Sequence, residues 1–169
     1  MTTNHKDLIL KKLLNEDKGN EKILFEQYKL YVEMADEVSN HRRNDMKFYV
    51  ILSTSLISIF QIIASITHEI STGVLVIIIA IFIIFIFINC VWIINIKSYS
   101  TLNCGKFDVI NEIENKLPAK GFTIEWELLT EVYQYNELTN VEKNIPIIMI
   151  GIGVIILIIN IIMFHLKII

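Results

Sequence analysis

The sequence predicts an all-α membrane protein with three transmembrane helices, the first two extended beyond the bilayer as a long helical hairpin stalk. Three observations carry this. Three long apolar runs contain no Asp, Glu, Lys or Arg; a stripe at helical spacing leads into the first; and no glycine or proline lies between Gly19 and Gly73. Of the 169 residues 53% are hydrophobic, yet 20% are charged, so the two classes must be segregated along the chain. The formal net charge of -3 lacks the basic footprint of a nucleic-acid binder, and no nucleic-acid partner is expected.

Residues 1–20 hold one apolar cluster, Leu8, Ile9, Leu10, Leu13 and Leu14, among charges, which suits a flexible or amphipathic segment at the membrane surface. Residues 21–48 read as a stalk helix outside the membrane. Leu24, Tyr28, Tyr31, Ala35 and Val38 follow at spacings of four, three, four and three, and Tyr28, Tyr31, Ala35 and Val38 are the expected oligomer contacts of the stalk. The helix should continue into the first span, residues 49–67. Unbroken from Glu21 through Thr67, it would reach ~70 Å, over twice the hydrocarbon thickness.

The second span, residues 74–96, follows so short a connection that the two must form an antiparallel hairpin. Residues 97–144 return to the polar side, with Phe107, Ile110, Ile113 and Leu117 on a helical stripe and Gly105 as its weak point. After the turn Leu117-Pro118-Ala119-Lys120-Gly121, the stretch Phe122–Tyr135 suits a helix or a hairpin, with helix preferred. Thr139-Asn140-Val141-Glu142 has the form of a capping box that would start a helix, and Pro146 should kink it where the third span, residues 146–166, enters the membrane.

Lysine and arginine set the orientation. Nine precede Tyr49, none lies between His68 and Gly73, five fall between Lys97 and Asn144, and only Lys167 follows Leu166. By the positive-inside rule the amino terminus is cytoplasmic and the carboxyl terminus outside. Arg42, Arg43 and Lys47 are the expected anchors on anionic lipid head groups, with Phe48, Tyr49 and Trp92 as aromatic anchors. On one helix, Cys90 and Cys104 would lie about 21 Å apart, too far for a disulfide.

Thr54, Ser58, Gln61 and Ser65 recur at spacings of four, three and four, giving the first span a polar stripe. Such residues glue helices together through close approach and hydrogen bonding; alternatively, copies of the helix surround an axis and line a pore with them. Asn89 and Asn160 are single polar groups suited to bonding a neighbouring helix, and Gly151 and Gly153 to close packing. Glu37, His41 and Asp45 share a helix face, where solvated pairing outweighs a metal or proton-sensing site. No phosphate-cradling glycine loop, Gly-x-Ser-x-Gly or HExxH occurs, so neither an enzyme nor a cofactor is expected. An enzyme acting on lipid would need a polar pocket, for instance around His41, Asp45 and Lys106.

The stretch from Tyr28 to Arg43, containing Tyr28-Lys-Leu-Tyr31 and Arg42-Arg43, resembles the RipA family of small bacterial inner-membrane proteins. So do Leu102-Asn103-Cys-Gly-Lys106-Phe107, Leu117-Pro118, Glu125-Trp126-Glu127-Leu128 and Leu138-Thr139-Asn-Val-Glu142 before Pro146. Such proteins are described as octameric, so the resemblance implies a ring of helices and supplies no reaction. The Arg-rich hairpin is also similar to SLATT domains, two-span modules linked to bacterial defence, from which this chain departs by its third span. The reading is a non-enzymatic homo-oligomeric scaffold in the bacterial inner membrane, a platform for a cytoplasmic protein partner. The alternative is a gated pore or membrane-disrupting effector lined by the stripe of the first span.

Overall fold

The computed structural model describes residue 6 and residues 8–10, 21–66, 72–135 and 138–165. Its helices are α1 (Glu21–Ile66), α2 (Thr72–Glu114), α3 (Gly121–Glu127), α4 (Leu138–Glu142) and α5 (Asn144–His165). No strand occurs among the described residues. Leu8, Ile9 and Leu10 are helical, whereas Leu13 and Leu14 lie outside the described residues, as does the connection between the first two spans.

The chain divides into two compact units, each receiving part of α1 and α2: Met1–His41 with Tyr99–Asn136, and Arg42–Ser98 with Glu137–Ile169. In the first, the polar unit, Ala35, Ile110 and Ile113 are buried. Each fully buried isoleucine contributes about 1.5–3 kcal/mol relative to exposure. Phe122 packs against Tyr28 and Phe107, with ring centroids 6.3 and 5.8 Å away. Ser39 joins these elements, donating to the Ala35 carbonyl at 3.1 Å and accepting from Asn103 at 3.4 Å. Gly105 does not interrupt α2.

The preferred helical form of Phe122–Tyr135 is found, with one addition. After α3 the winding loosens into a π-helical turn, Leu128–Val132. The chain then leaves the helix at Gln134, whose φ of 48° is a left-handed conformation that ends helices.

In the second unit, the span unit, three helices are long and apolar enough to cross a membrane. Its interior holds Phe60, Ile78, Phe85, Trp92 and Ile96 with two polar residues, Ser53 and Asn89. Ile51, Ile83, Phe87 and Ile94 face outward. Because lipid is as apolar as these side chains, helix association rests on packing and hydrogen bonds rather than on removal of apolar surface from water.

Gly153 shows how tight that packing is: a Cβ added there would lie 2.6 Å from Cε1 of the buried Phe85 ring. Gly151 meets nothing within 4 Å. Gly153→Ala is therefore expected to destabilise the span unit by about 1–3 kcal/mol through overpacking. Gly151→Ala should be neutral or slightly stabilising, because alanine is the better helix former. Thermal unfolding of the two purified variants in one detergent, followed by helicity, checks the contrast.

The entry to the third span departs from expectation. A helix does begin at this motif, with Leu138, but Thr139 and Glu142 do not form the reciprocal capping box: they lie within α4, which ends at Glu142, and both side chains turn to Arg42. Pro146 causes no kink inside a continuous helix. The break comes earlier, at Lys143, and Pro146 occupies the first turn of α5. A proline ring collides with the carbonyl four residues before it and has no N–H to offer that carbonyl. Here that residue is Glu142, so the chain turns there and restarts at Asn144.

Candidate functional site

Three clusters hold the residues singled out in the sequence. The first is the outer face of α1 within the spans, where Thr54, Ser58, Gln61 and Ser65 are all exposed in the single chain. The three hydroxyls are turned back on their own helix. Thr54 donates to the carbonyl of Val50 or Ile51 at 2.8 or 3.0 Å, Ser58 to that of Thr54 at 2.9 Å, and Ser65 to that of Ile62 at 2.9 Å. Gln61 behaves differently. Its carbonyl oxygen accepts from Asn160 Nδ2 at 3.3 Å, and the same Asn160 nitrogen donates to the Ile156 carbonyl at 2.8 Å.

Inside the unit, the polar contact between the first two spans comes from Ser53, one position from the stripe. Its hydroxyl donates to Asn89 Oδ1 at 3.4 Å, while Asn89 Nδ2 donates to the Phe85 carbonyl at 2.8 Å, and both residues are fully buried. Asn89 and Asn160 thus each bond a neighbouring helix, as expected of them.

The second cluster surrounds Arg42. Its Nε donates to Glu142 Oε2 at 2.6 Å and its Nη2 to Thr139 Oγ1 at 3.0 Å; a second contact joins Nη2 to Glu142. With 13% and 10% of their side-chain surfaces exposed, Arg42 and Glu142 form a nearly buried ion pair. Arg42 is therefore committed inside the span unit, while Arg43 and Lys47 remain exposed. Trp92 is likewise internal. It is buried and stacks on Tyr49 at 5.6 Å, with Asn95 donating to the Tyr49 hydroxyl at 2.8 Å, while Phe48 stays exposed.

The third cluster belongs to the polar unit. Ala35 is buried; Tyr28, Tyr31 and Val38 are half-buried. Tyr28 donates to Glu114 Oε1 at 2.8 Å. Glu114 is fully buried and also accepts from the Phe122 N–H at 3.0 Å, the Thr123 N–H at 3.1 Å and the Thr123 hydroxyl at 2.9 Å. Burial alone pushes the Glu114 carboxyl upward, but the four bonds to its charged form outweigh that and hold it below the ordinary carboxylate value. Burial, with the bond and negative charge of Glu114, pushes the Tyr28 hydroxyl up to about 12.

His41 and Glu37 are exposed and 3.6 Å apart, a solvated pair. Among the described residues no group of three or more His, Cys, Asp or Glu side chains is placed to hold a metal ion. Cys90 and Cys104 are free and exposed. α3 and the turn after it expose Ile124, Trp126, Leu128, Val132, Tyr133 and Tyr135.

Sequence reasoning missed Ser53, Glu114 and the partnership of Arg42 with Glu142. One signal was present for the last: Glu142 is the acid nearest the third span, and Arg42 is among the cations nearest the first.

A family model described as the octameric membrane protein family matches residues 25–163, most of the chain and all of the motifs from Tyr28 to Pro146. No curated protein and no solved structure matches.

Proposed function

Because the chain belongs to the octameric membrane protein family and is thus a homo-oligomeric membrane protein, we propose that it is a non-enzymatic scaffold presenting a cytoplasm-facing platform. It sits in the bacterial inner membrane with its amino terminus in the cytoplasm and its carboxyl terminus outside. Anionic lipid is held by Arg43 and Lys47. The observation that carries the reading is the concentration of exposed apolar side chains along one short segment, Ile124, Trp126, Leu128, Val132, Tyr133 and Tyr135, in the unit that lacks the spans' continuous apolar cover. Exposed aromatic patches of that kind mark protein interaction surfaces. Repetition around an oligomer raises the avidity of such a surface for a multivalent cytoplasmic partner.

A second reading is favoured by one observation, the outward placement of Thr54, Ser58, Gln61 and Ser65. It makes the oligomer a gated pore or membrane-disrupting defence effector lined by that stripe.

Purified oligomer in sealed liposomes separates the two. A scaffold passes no ions, whether position 61 holds glutamine or leucine. Conductance abolished by Gln61→Leu would replace the platform with the pore. Sidedness is tested with the native thiol of Cys104, which should react with a membrane-impermeant reagent in inverted inner-membrane vesicles and not in intact spheroplasts. The opposite result would remove the cytoplasmic platform.

A further inference from the structure

Gln61 and Asn160 leave an unfinished hydrogen-bond circuit on the outer face of the span unit. The Asn160 amide nitrogen uses its two hydrogens on Ile156 and Gln61. The Asn160 carbonyl oxygen and the Gln61 amide nitrogen have no partner among the described residues, and Gln61 is exposed. One open donor and one open acceptor therefore stand side by side, on α1 and α5. Lipid tails can satisfy neither, and a carboxamide unpaired in hydrocarbon is strongly disfavoured.

We infer that this pair is a contact between subunits within the membrane, closed by the same pair on adjacent copies of the chain. The Gln61 amide N–H of one copy donates to the Asn160 carbonyl of the next. Because donor and acceptor lie side by side on one face, the patch is self-complementary, and two copies related by a two-fold axis exchange both bonds in an isologous contact. One open donor and one open acceptor per chain close such a contact with neither group left over, and membership of an octameric family supplies the second copy. An isolated chain would leave both groups stranded.

The surroundings favour another copy over a water-filled lane. Thr54, Ser58 and Ser65 have already given their hydroxyl hydrogens to their own helix, the usual behaviour of such residues in a dry setting. They present little but small side-chain bulk, which permits close helix approach. The exposed neighbours Ile62, Ile159 and Ile161 are aliphatic and offer water nothing. Only the carboxamides retain hydrogen-bonding capacity to offer, and it is directional.

The test uses the full-length chain with Cys90→Ala and Cys104→Ser. Copies carrying Gln61→Cys and copies carrying Asn160→Cys, with different tags, are co-expressed and treated in membranes with a bifunctional thiol reagent of short spacer. The spacer is needed because hydrogen-bonded carboxamides hold their Cβ atoms farther apart than a disulfide tolerates. Mixed cross-linked dimers bearing both tags are the expected result. A population that remains octameric by mass yet gives no mixed dimer overturns the inference. So does ready reaction of the thiol at position 61 with a membrane-impermeant reagent, which would place that position on water. Gln61→Leu combined with Asn160→Leu should weaken subunit association at least about tenfold in a dilution series, with helicity unchanged. Unaltered association would overturn the contact, and the cross-link decides the matter independently if the double variant fails to fold.

Discussion

Arg42→Ala is expected to destabilise the span unit by about 3–5 kcal/mol, because it strands a nearly buried carboxylate. Glu142 keeps its charge but loses both contacts from the guanidinium, and Thr139 loses the donor that its hydroxyl accepts from. The reverse change, Glu142→Ala, should cost a similar amount by stranding the guanidinium. A buried ion pair is more costly to halve than to replace, since the attraction within it is largely offset by the desolvation of both partners. Arg42→Met with Glu142→Leu is accordingly expected to recover most of the loss. Arg43→Ala serves as the comparison: that side chain is exposed, and its removal should change stability by less than about 0.5 kcal/mol. Denaturant titration of the four proteins in one detergent, followed by helicity, gives the comparison directly. Equal stability of Arg42→Ala and Arg43→Ala would mean that the ion pair contributes nothing.

The consequence reaches past stability. Arg42 ties the first span to the segment that introduces the third, and both Gln61 on α1 and Asn160 on α5 depend on those helices holding register. A chain lacking the ion pair should therefore also associate less well, although neither Arg42 nor Glu142 is proposed to touch another copy. Restoration of association by the Met–Leu pair would separate this positioning effect from a direct contact.

The spans were legible because a run of some 20 uncharged apolar residues has few alternatives: in lipid, only a helix satisfies the backbone within one segment. The helical stripe through Tyr28 and Ala35 was equally plain, since spacings of four and three define one face. What that face touches was not plain. Periodicity marks a covered side and does not name the cover, and Tyr28 bonds Glu114, 86 residues away. Polarity along α1 was legible only in part, for a related reason. Thr54, Ser58, Gln61 and Ser65 form a regular row and draw attention, whereas the buried contact comes from Ser53, which belongs to no row. A single serine among isoleucines gains its meaning from Asn89, and only the fold brings them together. The capping box failed through competition: its side chains could have bonded the backbone, but a charged guanidinium offers stronger hydrogen bonds than a neutral N–H.

Glu114 supports the second large effect, and its sign follows from its partners. Glu114→Ala removes the acceptor for the Tyr28 hydroxyl, the Thr123 hydroxyl and the N–H groups of Phe122 and Thr123, which begin α3. Lys120, the residue before α3, makes no side-chain cap, so nothing else takes over these donors. A loss on the order of 3 kcal/mol is expected for several half-buried donors left without a partner. The pH dependence distinguishes this from simple loss of volume. Since the folded-state carboxyl lies below its ordinary value, its contribution is fully present above the ordinary value of 4.5 and disappears as pH falls through the depressed one. Tyr28 sets the opposite limit: with its hydroxyl raised from 10.0 to about 12, its contribution is intact below 10.0 and is lost as pH rises through about 12. Between these limits the cluster should add a constant amount. Thermal midpoints measured from neutral to acid pH should fall more steeply for the unaltered protein than for Glu114→Gln, which begins less stable and has no charge to lose. Tyr28→Phe should keep the acid limb, lose the alkaline one and cost only about 0.5–1.5 kcal/mol at neutral pH, since Glu114 retains its other three donors. Parallel acid limbs for the unaltered protein and Glu114→Gln would show that the carboxylate is not what secures α3.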